Sequence, residues 1–158
     1  EVADLNQDGF DDIIISNGDN ADNSIIKKAY HGVHVFLNDQ KNNFKEGYFY
    51  PAYGATKTLA RDFDADGDID LAMIAFFSEN DKGKNESFLY FQNQGKLQFK
   101  VSNLNIPDDA RYMSMDAGDF DKDGDIDLLL GNFQFGKPRP GVKLTPGLQV
   151  RLLRNSIR

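Results

Sequence analysis

Apolar residues in this chain gather in short blocks, not in long stripes. Three blocks, Ile13-Ile14-Ile15, Leu71 to Phe77 and Leu128-Leu129-Leu130, each follow directly on a dense polar stretch. Others are β-rich runs that end in asparagine: VHVFLN to Asn38, SFLYFQN to Asn93 and QVRLLRN to Asn155. FKEGYFY from Phe44 and FKVSNLN from Phe99 are further extended segments, and TKTLARD and RYMSMDAGD are short alternating runs. Run length, β-branched and aromatic content and the turn residues between runs all fit strands. No stretch sustains the 3.6-residue rhythm of an amphipathic helix.

The polar stretches ahead of the three apolar blocks are copies of one another. ADLNQDGFDDIII starts at Ala3, RDFDADGDIDLAM at Arg61 and GDFDKDGDIDLLL at Gly118. Aligned on their first aspartates, Asp4, Asp62 and Asp119, they lie 58 and 57 residues apart. Each is followed by an apolar block, a loop of variable length and a strand-like run ending in asparagine; in the first two units a phenylalanine, Phe44 or Phe99, comes six residues after that asparagine. A fixed period of this size marks one supersecondary unit repeated along the chain.

Each unit reads as four short strands: one before the acidic loop, one after it, one ending at the Asn and one starting at the Phe. The expectation is an all-β protein built of four-stranded antiparallel sheets, the blades of a β-propeller. A β-sandwich matches the strand count but does not predict near-identical loops at constant period. Counted from loop to loop, the units are 1–58, 59–115 and 116–158, all within one propeller domain. A closed ring needs roughly 4–8 blades, so the chain is expected to be an incomplete propeller of about three, an internal or truncated piece of a longer protein. It is further expected to begin at a loop with no strand before it.

The acidic loops carry the chemistry. Written by position, each is D-x-[DN]-x-D-G-x-x-D: Asp4, Asn6, Asp8, Gly9, Asp12; Asp62, Asp64, Asp66, Gly67, Asp70; Asp119, Asp121, Asp123, Gly124, Asp127. Oxygens at positions 1, 3 and 5 converge if the backbone curls around a point, and glycine at position 6 permits the tight turn. Hard oxygen donors in an arc match Ca²⁺, which takes six to eight oxygens at about 2.3–2.6 Å in flexible geometry. Magnesium demands a stricter octahedron, and zinc favours His or Cys. An EF-hand shares positions 1 to 6 but needs a bidentate Glu at position 12. Position 12 here is Ile15, Met73 or Leu130, none of which binds metal, and the last ligand is instead the aspartate at position 9. Solvated Asp/Gly turns could produce one such loop; three at constant period with the same sequel favour metal.

Charge supports that reading. The chain has 158 residues, 25 acidic and 18 basic, for a net charge of −7. The loops hold 14 of the acids, so the remaining 11 face 18 bases and the rest of the chain is net +7. Three Ca²⁺, one per loop, would bring the whole from −7 to −1. Without metal, like charges a few ångströms apart each cost on the order of 1 kcal/mol, so cation binding should be coupled to stability. The acidic balance argues against nucleic acid as a partner. No apolar run approaches the roughly 20 residues of a membrane helix, so no membrane insertion is expected. With no cysteine there is no disulfide, thiolate site or Cys nucleophile.

The pattern DFDxDGDxDLxxxN, with a strand ending in Asn and a Phe six residues on, resembles the FG-GAP/VCBS repeats. These form the propeller blades of integrin α-subunit heads and of many secreted bacterial proteins. The resemblance covers essentially the whole chain. It implies that each loop bridges the two inner strands of a blade and holds Ca²⁺ through positions 1, 3, 5 and 9 and the carbonyl of position 7, which is Phe10, Asp68 or Asp125. The departures are Asn6 in place of Asp and Asp11 in place of an apolar residue at position 8; one charge fewer predicts weaker binding in the first loop. The literal Phe-Gly-Gly-Ala-Pro sequence is absent, which places the resemblance with the VCBS-type variant.

The expected function is a non-catalytic, calcium-stabilised scaffold for adhesion or recognition of a protein or glycan, on a secreted or cell-envelope protein and flanked by further blades. The alternative is the propeller of a secreted polysaccharide-acting enzyme whose active site lies elsewhere. The variable loops after the apolar blocks are where recognition would sit; the third carries Lys137, Arg139 and Lys143. A solvated connector is its plainer reading. His31 and His34 fit structural roles better than ligand roles, and Tyr48, Phe49, Tyr50 and Tyr53 fit packing between blades better than sugar stacking. No nucleophile–base pair or phosphate-cradling loop stands out, and metal-bound carboxylates are poor acid–base groups.

Overall fold

The computed structural model describes residues 1–18, 26, 28–77, 85–104, 110–133 and 149–156. The described elements are all strands: β1 (Val2–Ala3), β2 (Asp12–Asn17), β3 (Gly32–Asn38), β4 (Phe44–Pro51), β5 (Ala55–Arg61), β6 (Asp70–Ala75), β7 (Phe88–Asn93), β8 (Phe99–Asn103), β9 (Tyr112–Gly118), β10 (Asp127–Asn132) and β11 (Val150–Leu153). They form three antiparallel meanders: β1-β2-β3-β4, β5-β6-β7-β8 and β9-β10-β11. The sheets pack side by side without closing a ring, an incomplete propeller.

Two expectations are corrected. A strand does precede the first acidic loop: Val2 pairs with Ile13 and Ala3 with Asp12. Glu1 secures it, its N-terminal nitrogen donating to Ile14 O at 3.1 Å and its carbonyl accepting from Ile14 N at 2.9 Å. Two residues are too short to show any periodicity in sequence. In the third sheet the strand stops at Leu153, so Asn155 lies beyond it, unlike Asn38 and Asn93, which end their strands. The divisions after residues 58 and 115 fall inside β5 and β9, because a repeat counted from loop to loop takes its innermost strand from the preceding unit.

The middle sheet explains why its apolar block is the longest of the three. All six residues of β6 are buried. Leu71, Met73 and Ala75 join Ile14, Val33, Val35, Leu89 and Phe91 in the core shared with the first sheet. Ala72 and Ile74 point the other way, to Leu59, Phe63, Phe88, Tyr112, Met115, Leu128 and Leu130 in the core shared with the third. A strand packed on both faces needs apolar residues at every position, whereas one-sided burial gives alternation. β2, packed on one side, buries Ile14 and leaves Ile15 exposed.

Aromatic side chains seal the joint between the first two sheets. Tyr48 meets Phe99 at 4.8 Å between ring centroids, and Tyr50 meets Phe91 edge-on at 5.0 Å. Phe49 instead stacks on His34 at 4.4 Å. The ring nitrogens of His34 lie 2.6 Å from Glu46 Oε1 and 2.8 Å from Tyr30 O, and His31 is buried between the rings of Tyr30 and Tyr53.

Antiparallel connectivity sorts the connections to two ends. The three acidic loops (β1–β2, β5–β6, β9–β10) and the tight turns β3–β4 and β7–β8 share one end. The ends of β2, β6 and β10 and the starts of β3, β7 and β11 lie at the other. Lys137, Arg139 and Lys143 fall outside the described residues.

Candidate metal centre

Each acidic loop is wound by its own carboxylates before any ion is considered. The position-1 carboxylate accepts from two backbone N–H groups across the loop: Asp4 from Asp8 and Gly9 at 3.0 and 2.8 Å, Asp62 from Asp66 and Gly67 at 3.2 and 3.1 Å, and Asp119 from Asp123 and Gly124 at 3.1 and 3.1 Å. At position 3, Asn6 and Asp64 accept from the position-5 N–H at 3.0 and 3.3 Å. Asp8, Asp66 and Asp123 at position 5 accept from the position-7 N–H of Phe10, Asp68 and Asp125 at 3.0, 2.9 and 3.1 Å. These are local side-chain-to-backbone turns of the kind Asp and Asn favour.

The backbone pays a conformational cost at two positions per loop. Position 6 is left-handed, with φ of 87°, 95° and 97° at Gly9, Gly67 and Gly124, and a Cβ there would meet nothing within 4 Å. Glycine is therefore present for its dihedral freedom and not for space. Position 4 is left-handed too, at Gln7, Ala65 and Lys122 with φ of 59°, 57° and 65°. Sequence gives no sign of this, since none of the three is glycine.

The position-9 aspartates, Asp12, Asp70 and Asp127, are fully buried and tie the loop to the sheet. One oxygen of each accepts from the position-2 N–H: Leu5 at 3.1 Å, Phe63 at 3.3 Å and Phe120 at 3.1 Å. The other accepts from the N–H of the Asn that recurs at the end of the third strand-like run: Asn38 at 3.0 Å, Asn93 at 2.7 Å and Asn155 at 2.8 Å. Burial pushes Asp12 and Asp70 above the ordinary carboxylate value, partly countered by these donors and reinforced by neighbouring loop aspartates. Asp70 also accepts from the Tyr90 hydroxyl, at 2.6 Å.

The amide side chains of Asn93 and Asn155 fasten one blade to the next, whereas Asn38 Nδ2 donates to Asp11 O in its own blade at 3.1 Å. Asn93 Nδ2 donates to Ile69 O in its own blade at 3.0 Å and reaches Leu5 O in the preceding loop at 3.5 Å. Asn155 Nδ2 donates to Phe63 O, the same loop position one blade on, at 2.6 Å. A second link joins the first two loops: Gln7 Nε2 donates to Gly67 O at 2.9 Å and to Asp68 Oδ1 at 2.7 Å.

In two loops the carboxylates converge. One oxygen from each of Asp62, Asp64 and Asp70 lies within 4.8 Å of the others, and the same holds for Asp119, Asp121 and Asp127. Each pair lies within the span of a single Ca²⁺, about twice its metal–oxygen distance of roughly 2.4 Å. Among the described residues no third group of this kind occurs, and Asp4, Asp8 and Asp12 of the first loop do not form one. There Asn6 supplies an amide oxygen at position 3, and its Nδ2 donates to Asp8 Oδ2 at 3.1 Å. Asp66 and Asp123 stand outside the two groups. In the third loop Asp125 Oδ2 is buried with no hydrogen-bond partner. An oxygen-only, strongly anionic donor set with a buried unpaired carboxylate oxygen fits a hard divalent cation.

Two further residues touch the position-3 aspartates. Gln92 Nε2 donates to Asp64 Oδ2 at 2.6 Å, and Arg154 Nε lies 3.7 Å from Asp121 Oδ2. Both stand immediately before the recurrent Asn and align with Leu37, as Tyr90 aligns with Val35 and Leu152, so no repeat signal marks any of the three.

A family model described as FG-GAP-like repeat matches residues 4–73 and 62–130. No curated protein and no solved structure matches the chain significantly.

Proposed function

The chain belongs to the FG-GAP-like repeat family, and on that premise we propose that it is a calcium-binding segment of a propeller that serves recognition and not catalysis. The observation that carries this reading is the convergence of three carboxylate oxygens within 4.8 Å at Asp62, Asp64 and Asp70, repeated at Asp119, Asp121 and Asp127. The proposed ligands are Asp62, Asp64, Asp66 and Asp70 with the carbonyl of Asp68, and Asp119, Asp121, Asp123 and Asp127 with the carbonyl of Asp125. Asp4, Asn6, Asp8 and Asp12 with the carbonyl of Phe10 form a weaker third site. A bound cation would neutralise the crowded carboxylates and hold each loop to its blade.

Recognition of a protein or glycan is assigned to the end of the sheets opposite the acidic loops, so that metal sites brace the scaffold without blocking the ligand. Sites of this kind are filled by the calcium found outside cells even where affinity is about 10⁻⁴–10⁻³ M, which supports a secreted or cell-envelope location. Among the described residues no helix is long and apolar enough to cross a membrane.

Calorimetric titration of the whole chain with Ca²⁺ and Mg²⁺ tests the metal reading. Ca²⁺ should bind with at least two equivalents and raise the melting temperature, and Asp64→Ala should remove one equivalent. If neither ion binds, the reading is wrong.

A further inference from the structure

The three blades differ at one position that faces the loop. Leu37, Gln92 and Arg154 each stand directly before the asparagine whose N–H bonds the position-9 aspartate. In the second and third blades the side chain at this register reaches the position-3 aspartate of its own loop. Gln92 uses the position to donate to Asp64 Oδ2 at 2.6 Å, a neutral contact that orients the carboxylate and leaves its charge intact. Arg154 uses it to bring a guanidinium 3.7 Å from Asp121 Oδ2. Leu37 makes no polar contact and packs against the core between the first two sheets.

We propose that this residue sets the cation affinity of its loop, and that Arg154 acts as a tethered cation that weakens the third site relative to the second. The inference rests on the calcium reading above. Loops two and three carry the same five aspartates at positions 1, 3, 5, 7 and 9, so aspartate count alone predicts equal affinity. The guanidinium changes that balance, because a divalent ion held by Asp121 must approach that positive charge or displace it. As a stabilising ion pair the contact matters little, since the Arg154 side chain is 68% exposed. Its consequence is competition. Lys122, at position 4 of the third loop where Ala65 stands in the second, is a second positive charge within that loop.

Glycine amides read the loops separately. Gly9, Gly67 and Gly124 each donate to the position-1 carboxylate of their own loop, so in ¹⁵N-glycine-labelled protein their resonances should report filling of each site. In the wild type, Gly67 should respond at lower Ca²⁺ than Gly124. Arg154→Gln should tighten the third site by roughly three- to tenfold at low salt, with less effect as salt screens the charge, and leave the Gly67 curve in place. Arg154→Lys should keep the weak affinity, and Gln92→Arg should weaken the second site by a similar factor. An unmoved Gly124 curve in Arg154→Gln, or a difference between loops abolished by Lys122→Ala alone, overturns the inference while calcium binding stands. No response at any of the three glycines removes the calcium reading and this inference with it.

Discussion

The Tyr90 hydroxyl donates to Asp70 Oδ2 at 2.6 Å, inside a blade where Asp70 has no solvent exposure. Burial, the bond itself and the charge of Asp70 all push the Tyr90 phenol far above its ordinary value, so it remains a donor at any physiological pH. Tyr90→Phe leaves a buried carboxylate with one donor fewer. The expected loss is about 1–3 kcal/mol, or roughly 2–4 °C in melting temperature per kcal/mol. Urea titration of both proteins in chelator checks it.

Metal-free protein should lose stability as pH rises out of the acid range. Asp12 and Asp70 have folded-state values raised above 3.8, so between 3.8 and those values the folded chain binds more protons than the unfolded one. In that window stability falls as pH rises. Asp39, held low by bonds from Asn43, titrates in the opposite sense but is exposed. With saturating Ca²⁺ the loop carboxylates stay ionised and the trend should reverse, because the ion binds their charged form. Melting curves from pH 4 to 7, in chelator and in calcium, separate the two cases.

Two glycine substitutions should differ in size. Gly67→Ala places a side chain at φ +95° in open space, which should cost about 1–2 kcal/mol of left-handed strain. At Gly54 (φ +70°) a Cβ would sit 2.5 Å from Phe77 N and 2.8 Å from Phe77 C, so strain and overpacking combine to roughly 3 kcal/mol or more. Denaturation midpoints in chelator rank the two.

Asn155→Ala removes the amide that donates to Phe63 O at 2.6 Å across two blades. It should destabilise by about 1–3 kcal/mol and speed hydrogen exchange in both β10 and the second acidic loop. Exchange confined to β10 would show that the joint transmits nothing.

The fold was legible because its signals are local. The β-rich runs VHVFLN and SFLYFQN, the apolar run of DLAMIA and the glycine of each loop are written within a few residues. β1 was not, since two residues carry no rhythm and its pairing depends on Ile13 and Ile14 beyond the loop. The recurrence of Asn38, Asn93 and Asn155 was visible, but their task was not. It depends on strand register, which brings each N–H to a buried aspartate that sequence marks only as a metal ligand. Which carboxylates converge was likewise hidden: Asp66 and Asp123 are the same residue type as Asp64 and Asp121, yet stand outside the converging groups.

The asparagine joint has a consequence for how such a chain grows. Its acceptor is the carbonyl at loop position 2, and its donor is the asparagine that closes the following unit. Each unit therefore brings a socket and a plug at fixed places. A tandem duplication of one unit would arrive with both halves of this hydrogen bond in place. The array could then lengthen by whole units while this one bond recurs at each joint.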